Sequence, residues 1–271
     1  VDVELIKATE RHLLESICSF INKPEYTVFI SELFPQYYAA NGIEIHDPQG
    51  RSLAEWEKIS SNFFDPQKFE HITYTFTERD DFAYLIEEAK AANYHVTAEI
   101  YMFVDNVAHL KEVPANLTIR EIKDAPDWER LQKFYNDFSV DYDWYDGEAG
   151  SDNLFQKTMF TGDAVGMQWF YISERGSDEM LAKLGIFQHG GICNLQDLGT
   201  AKSQRKKGLA TALVSFAIKH ALETLRTHGV ALFADANYHA IDLYRKLGFE
   251  MVGSVITLMK YPVTNPDATG G

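Results

Sequence analysis

The run Gln204-Arg205-Lys206-Lys207-Gly208-Leu209-Ala210-Thr211 joins a strand-like stretch at 192–200 to a long apolar stretch at 208–228. The first turn of a helix leaves N–H groups without intrahelical partners, and the helix dipole adds positive potential there. Gly208 brings no side chain to that position, while Arg205, Lys206 and Lys207 bring three positive charges. The combination suits a phosphate-bearing ligand. The plain alternative is a basic turn ahead of a helix that starts on small residues. The run is neither G-x-x-x-x-G-K-[ST] nor G-x-G-x-x-G, which speaks against nucleoside triphosphates and dinucleotides.

The charge distribution agrees with an anion site at this place. Residues 201–271 carry 9 Lys and Arg against 5 Asp and Glu, whereas 1–115 carry 9 against 20 and 116–200 carry 7 against 15. Only the last segment welcomes an anion; the rest favours cations. The net charge of −15 argues against a nucleic-acid partner. With 45% hydrophobic and 24% charged residues the chain reads as globular. No apolar run reaches the roughly 18 residues of a membrane helix, so no membrane partner is expected. There is no signal-peptide pattern, and Cys18 and Cys193 cannot make a disulfide framework; a cytoplasmic protein is the expectation. At about 150 residues per domain, 271 residues imply two domains or one large one.

Outward from the basic run, hydrophobic periodicity places the remaining elements. Strands are expected at 117–122, 167–173, 180–188, 192–200, 230–234 and 249–259, and helices at 124–138, 208–228 and 238–247. Gly176-Ser177 and Gly190-Gly191 separate three of the strands as an antiparallel meander. In the 208–228 helix, Thr211, Ser215, Lys219 and Glu223 step by four as a polar stripe, and Gly229 stands where a C-cap is expected. Residues 139–152 read as a polar loop. Upstream, helices are expected at 5–22, 27–40, 52–63 and 80–92, with strands at 71–77 and 95–104. Val113-Pro114 marks the boundary, giving an N-terminal α/β lobe at 1–114, a second domain at 115–262 and a flexible tail at 263–271. The strand–turn–helix–strand order at 71–104 echoes that at 230–260.

Two motifs carry a family resemblance. Arg205-x-x-Gly208-x-Ala210 resembles the [QR]-x-x-G-x-[GA] loop of the GNAT N-acetyltransferases. Asn237-x-x-Ala240-Ile241-x-Leu243-Tyr244-x-x-x-Gly248-Phe249, about 30 residues on, is similar to the family's second signature. The resemblance spans 116–261 in element order. It implies an α/β (α+β) GNAT acyltransferase fold, with a mixed, mostly antiparallel sheet flanked by helices; the N-terminal lobe is either a substrate lid or a diverged half-GNAT. It implies acetyl-CoA as donor. Arg205, Lys206, Lys207, Gly208, Leu209, Ala210 and Thr211 would then hold the pyrophosphate. The backbone of Leu198, Gly199 and Thr200 would pair with the pantetheine arm where the fourth and fifth strands splay, and Asn237 would bind it from the other side. Tyr244 would lie by the sulfur and protonate the thiolate; the alternative is a core aromatic.

The acceptor is the harder part. An alkylamine with a pKa near 10.4 is neutral to only about one part in 2,500 at pH 7, so its proton must be removed. Many relatives place a Glu on the fourth strand for this. Here Asn194 and Gln196 hold those positions. Asp197 is the nearest carboxylate, but alternation points it to the other face; either a bulge turns it inward, or a water chain or another carboxylate serves. The loop 137–152 holds Asp141, Asp143, Trp144, Tyr145 and Asp146 with no Lys or Arg, which suits an ammonium group or a solvated surface. His189 and Cys193 are too few for a zinc site, so no metal is expected. The reading is an N-acetyltransferase for a small cationic primary amine, as monomer or homodimer. A protein N-terminal or lysine acetyltransferase and a CoA-binding module without turnover are the alternatives.

Overall fold

A computed structural model describes residues 1–139, 147–236 and 240–261 of the chain. The first half runs α1 (Val3–Glu15), β1 (Ser19–Asn22), β2 (Tyr26–Ile30), β3 (Gly42–Ile45), α2 (Leu53–Ser60), β4 (Ile72–Thr77), α3 (Ala83–Ala91) and β5 (His95–Val104). The second runs β6 (Leu117–Glu121), α4 (Ala125–Ser139), α5 (Gly147–Val165), β7 (Gln168–Glu174), β8 (Ala182–His189), β9 (Ile192–Thr200), α6 (Leu209–Lys219), β10 (Gly229–Asp235), α7 (Ile241–Lys246) and β11 (Glu250–Lys260). The chain forms two compact units. The larger comprises Val1–Leu13, Met102–Leu232 and His239–Met251; the smaller comprises Leu14–Tyr101, Phe233–Tyr238 and Val252–Gly271.

In the larger unit the strand order is β10-β9-β8-β7-β6. The meander β6–β9 is antiparallel, as the glycine turns require, and Gly176, Gly190 and Gly191 all have positive φ. β9 and β10 are parallel, linked by α6. Helix α6 buries Leu209, Ala212, Leu213, Val214, Ala217 and Ile218. Helices α4 and α5 enclose Leu131, Phe134, Tyr135, Phe155, Trp169 and Tyr171.

In the smaller unit the order is β1-β2-β3-β4-β11-β5. β3 and β4 are parallel and linked by α2, and α3 and β5 follow. This is the connectivity of β9–α6–β10–α7–β11, so the echo between 71–104 and 230–260 extends to a shared strand–helix–strand order. Trp56, Tyr74, Phe76, Phe82 and Leu85 form its core.

The structure corrects several expectations. Residues 27–40 are not helical: Tyr26–Ile30 is a strand paired with β1 and β3, and Tyr38–Ala40 is a single 3-10 turn. The run Tyr-Thr-Val-Phe-Ile is rich in β-branched and aromatic residues, and buried pairing on both edges outweighed its helical spacing. The first helix ends at Glu15, not 22, and β1 follows. Part of the 139–152 loop is helix, since α5 begins at Gly147. Ser215 belongs to no polar stripe. It is buried, and its Oγ accepts the Lys111 N–H at 3.0 Å. Gly229 is not a cap. It opens β10, where a Cβ would lie 2.1 Å from the Phe103 ring, so close ring approach is what selects glycine. Gly248, at φ +92, does end α7 as expected.

Candidate functional site

The fourth strand of the meander is the frame of the site. Among the described residues β9 pairs with β10 over Ile192–Asn194, against Gly229–Ala231, and that pairing does not extend over Leu195–Thr200. On its other edge the register against β8 shifts: Gly185 faces Gln196, but Lys183 faces Gly199. One extra residue on β9 is a bulge, and Asp197 takes the strain at φ +52, a conformation that Asp tolerates better than most residues. Strict alternation therefore fails at Asp197.

The bulge sets Asp197 beside a buried cation. Its carboxylate lies 2.6 Å from Lys183 Nζ and accepts a hydrogen bond from the Tyr135 hydroxyl. Lys183 donates to the same hydroxyl at 3.0 Å and sits 4.2 Å from the Tyr135 ring. Lys183 has 2% of its side chain exposed, and Asp197 36%. Burial pushes the Lys183 pKa down, opposed by Asp197. For Asp197 burial acts upward, but the Lys183 ammonium and the Tyr135 hydroxyl hold its pKa below the usual carboxylate range. Lys157, on α5, has its pKa pushed down to about 8 by burial, opposed by the charges of Asp197 and Glu10.

Glu10 is the residue that sequence reasoning missed. It sits on α1, and its Oε1 accepts from Gln196 Nε2 at 2.5 Å and from Asn194 Nδ2 at 3.0 Å. Gln196 Nε2 also donates to Asn194 Oδ1 at 2.8 Å, and Asn194 Nδ2 to Thr9 Oγ1 at 2.6 Å. The two amides of β9 are thus the donors that hold a carboxylate from another element. Lys183 was also missed, although one Lys inside Leu181-Ala182-Lys183-Leu184 signals a buried, paired charge.

The basic run stands beyond the end of β9. A short 3-10 turn, Lys202–Gln204, leads to Arg205, and Gly208 then occupies the cap of α6 at φ +80 with no side chain to bond the first turn. A Cβ built on Gly208 meets nothing within 4 Å, so the space in front of the helix is open. Ala212 N–H bonds to Gly208 O at 3.0 Å, and the N–H groups before it in the first turn have no intrahelical partner. Helix α2 offers a contrast in the smaller unit. Its start is closed by a Ser52–Glu55 capping box, and its Leu53 N–H donates to Glu88 Oε2 at 2.6 Å. Carboxylates occupy one helix start; glycine and three cations mark the other. The residues of the α6 start fit a pyrophosphate.

Tyr244 lies on α7, buried at 7% exposure, with its ring edge-on to Phe249 at 5.7 Å. Asn237 and the loop residues Asp141, Asp143, Trp144, Tyr145 and Asp146 lie outside the described residues. Cys193 is buried, and burial pushes its thiol up to about 12, far from a nucleophile's range. His189 stacks on His12 at 4.1 Å. Among the described residues no three His, Cys, Asp or Glu are grouped to hold a metal, and no helix is long and apolar enough to cross a membrane.

One prediction arises from the buried pair. Asp197→Asn removes the carboxylate and leaves the Lys183 ammonium buried, a loss of about 3–5 kcal/mol in comparable cases. Because the folded pKa of Asp197 is depressed, its stabilisation is complete above about pH 4 and is lost as the pH falls through the folded value. Thermal unfolding of wild type and Asp197→Asn across pH should show a lower midpoint for the variant at pH 7, with the gap closing in acid. Equal midpoints at pH 7 would refute the pairing.

Residues 119–249 match the model of the acetyltransferase (GNAT) family. No curated protein matches the chain. Among solved structures, the chain is similar to a functionally unknown conserved protein from Staphylococcus epidermidis, with 12% identity, 91% of this chain and 95% of that one covered, and a TM-score of 0.73. It is similar to a GCN5-related N-acetyltransferase from Kribbella flavida, with 15% identity, 94% of each chain covered and a TM-score of 0.65. A tandem GNAT protein from the clavulanic acid biosynthesis pathway matches with 11% identity, 90% of this chain and 79% of that one covered, and a TM-score of 0.58. At such identities these likenesses show the fold: GNAT, mixed α/β with a mostly antiparallel sheet flanked by helices.

Proposed function

We propose that this chain, whose residues 119–249 match the acetyltransferase (GNAT) family model, moves the acetyl group of acetyl-CoA to a small cationic primary amine. The observation that carries the reading is the β9 edge left open beyond Asn194, running toward a glycine-started helix flanked by three cations. Acetyl-CoA supplies an activated acyl carbon and a thiolate leaving group. Arg205, Lys206 and Lys207 with the first N–H groups of α6, through Leu209, Ala210 and Thr211, bind its pyrophosphate. The backbone of Leu198, Gly199 and Thr200 orients the pantetheine arm as an added strand would, and strand N–H groups polarise the carbonyl. Asn237 binds the arm from the second side. Tyr244 donates its phenolic proton to sulfur, which a group protonated at pH 7 can do.

The acceptor side is acidic. Asp197, kept ionised by Lys183, belongs to the catalytic set as negative charge that favours an ammonium ion. Asp141, Asp143, Trp144 and Tyr145 form the acceptor-binding loop. The N-terminal lobe, 1–114, is a diverged half-GNAT: it keeps the parallel β3–α2–β4 unit, but its capped helix start has no place for a phosphate. The protein works in the cytoplasm as a monomer or homodimer.

The test is acetyl-CoA turnover against ethanolamine, putrescine, spermidine, lysine and a lysine-bearing peptide. Turnover fastest with a small amine is expected. A strong preference for the peptide would instead make it a protein acetyltransferase, and tight CoA binding with no turnover a binding module. With the best amine, the triple variant Asp141→Asn, Asp143→Asn, Asp146→Asn should raise the amine KM and leave the acetyl-CoA KM unchanged. An amine KM that does not move removes the loop from the site.

A further inference from the structure

We propose that Glu10, a residue of the N-terminal helix outside the 119–249 acetyltransferase segment, is the proton acceptor for the amine. The inference rests on the acetyl-transfer reading above. Strand β9 carries two amides, Asn194 and Gln196, hydrogen-bonded to each other. Both amides turn their N–H groups onto one oxygen of Glu10, at 3.0 and 2.5 Å. An amide side chain can present either its oxygen or its NH₂; here both present NH₂ to the Glu10 oxygen. Asn194 is fully buried and fixed by Thr9, whereas Gln196 and Glu10 are partly exposed, so the carboxylate is held by a buried donor and keeps part of its residue's surface in contact with solvent. α1 thus returns to β9 the charge that β9 lacks.

In the step assigned to Glu10 one N–H bond of the ammonium breaks and one O–H bond forms, on Glu10 or on a water between them. The electron pair stays on nitrogen, which attacks the acyl carbon. The overall balance is an ammonium and an acetyl thioester going to an amide, a thiol and one proton; Glu10 receives that proton and releases it to water between turnovers. Lys157 on α5 feels the charges of both Glu10 and Asp197.

The test uses the full chain, the best amine of the panel, and Glu10→Gln, which keeps the size and polarity of the side chain. The amine kcat/KM at pH 7 should fall by about 10²–10⁴-fold, the range of acid–base catalysis. It should then climb about tenfold per pH unit from 7 to 9, as the neutral amine fraction grows below a pKa of about 10.4. Wild type, which holds the same Lys157 and Asp197, should stay flatter over that range. Acetyl-CoA affinity by calorimetry should be unchanged. The double variant Glu10→Gln, Gln196→Glu moves the carboxylate across the same contact onto β9 and should recover most of the activity. Three results overturn the inference. The first is unchanged kcat/KM in Glu10→Gln. The second is a loss accompanied by a lower thermal midpoint, with neither alkaline recovery nor rescue by the double variant, which makes Glu10 structural. The third, a wild type that acetylates no amine, overturns the parent reading and Glu10's role with it.

Discussion

Gly208→Glu should abolish acetyl-CoA binding in a protein that still folds. The carboxylate would stand in the open space before α6 and meet the dipole end and the N–H groups that the pyrophosphate needs. A hydrogen bond to a charged group contributes about 1.5–3 kcal/mol, so losing two of them lowers affinity by at least about 10²-fold. The fold should tolerate the change, because no neighbouring atom lies within 4 Å of the new Cβ. The φ of +80 does cost a non-glycine residue about 1–2 kcal/mol. Gly208→Ala carries the same backbone strain without the charge and with far less bulk. It should therefore lose thermal stability similarly while keeping more of the affinity. Calorimetry on both variants separates strain from occlusion. Undiminished acetyl-CoA affinity in folded Gly208→Glu would overturn the pyrophosphate assignment.

Tyr244→Phe should lower kcat by about 10²–10⁴-fold with little change in acetyl-CoA affinity. Phenylalanine keeps the ring that packs edge-on against Phe249 and fills the same buried volume on α7, so only the hydroxyl is lost. The lower end of the range is the expected one, because a thiol with a pKa of about 8.5 is a fair leaving group unaided. A core tyrosine would behave differently: kcat would hold, and the thermal midpoint would move instead. The measurement must be made where chemistry limits turnover, as pre-steady-state acetyl transfer shows. An unchanged chemical rate would remove Tyr244 from the reaction and leave its place on α7 as packing.

Local chemistry was legible along the chain. Gly208 and Gly248 stand where the backbone needs positive φ, Gly190-Gly191 closes a hairpin, and β9 keeps the boundaries its apolar pattern implied. The basic run and the Asn237–Phe249 signature lie within short stretches of chain, so their spacing could be read directly. The β2 strand was misread because a short apolar run satisfies helical and strand spacing alike, and only its partners decide. Ser215 and Gly229 were misjudged for a related reason: a Lys111 amide and a Phe103 ring, distant in sequence, fixed their roles. The acceptor side was the least legible. Asp197 turns because one extra residue in β9 shifts its register against β8, and register is a property of two strands, not one. Glu10 meets Asn194 and Gln196 across separations of 184 and 186 residues, and nothing near residue 10 marks it. The sequence shows Asn194 and Gln196 only as two amides; tertiary packing sets the Glu10 carboxylate of α1 against them, because hydrogen-bond donors on a buried strand must find acceptors wherever the fold places them.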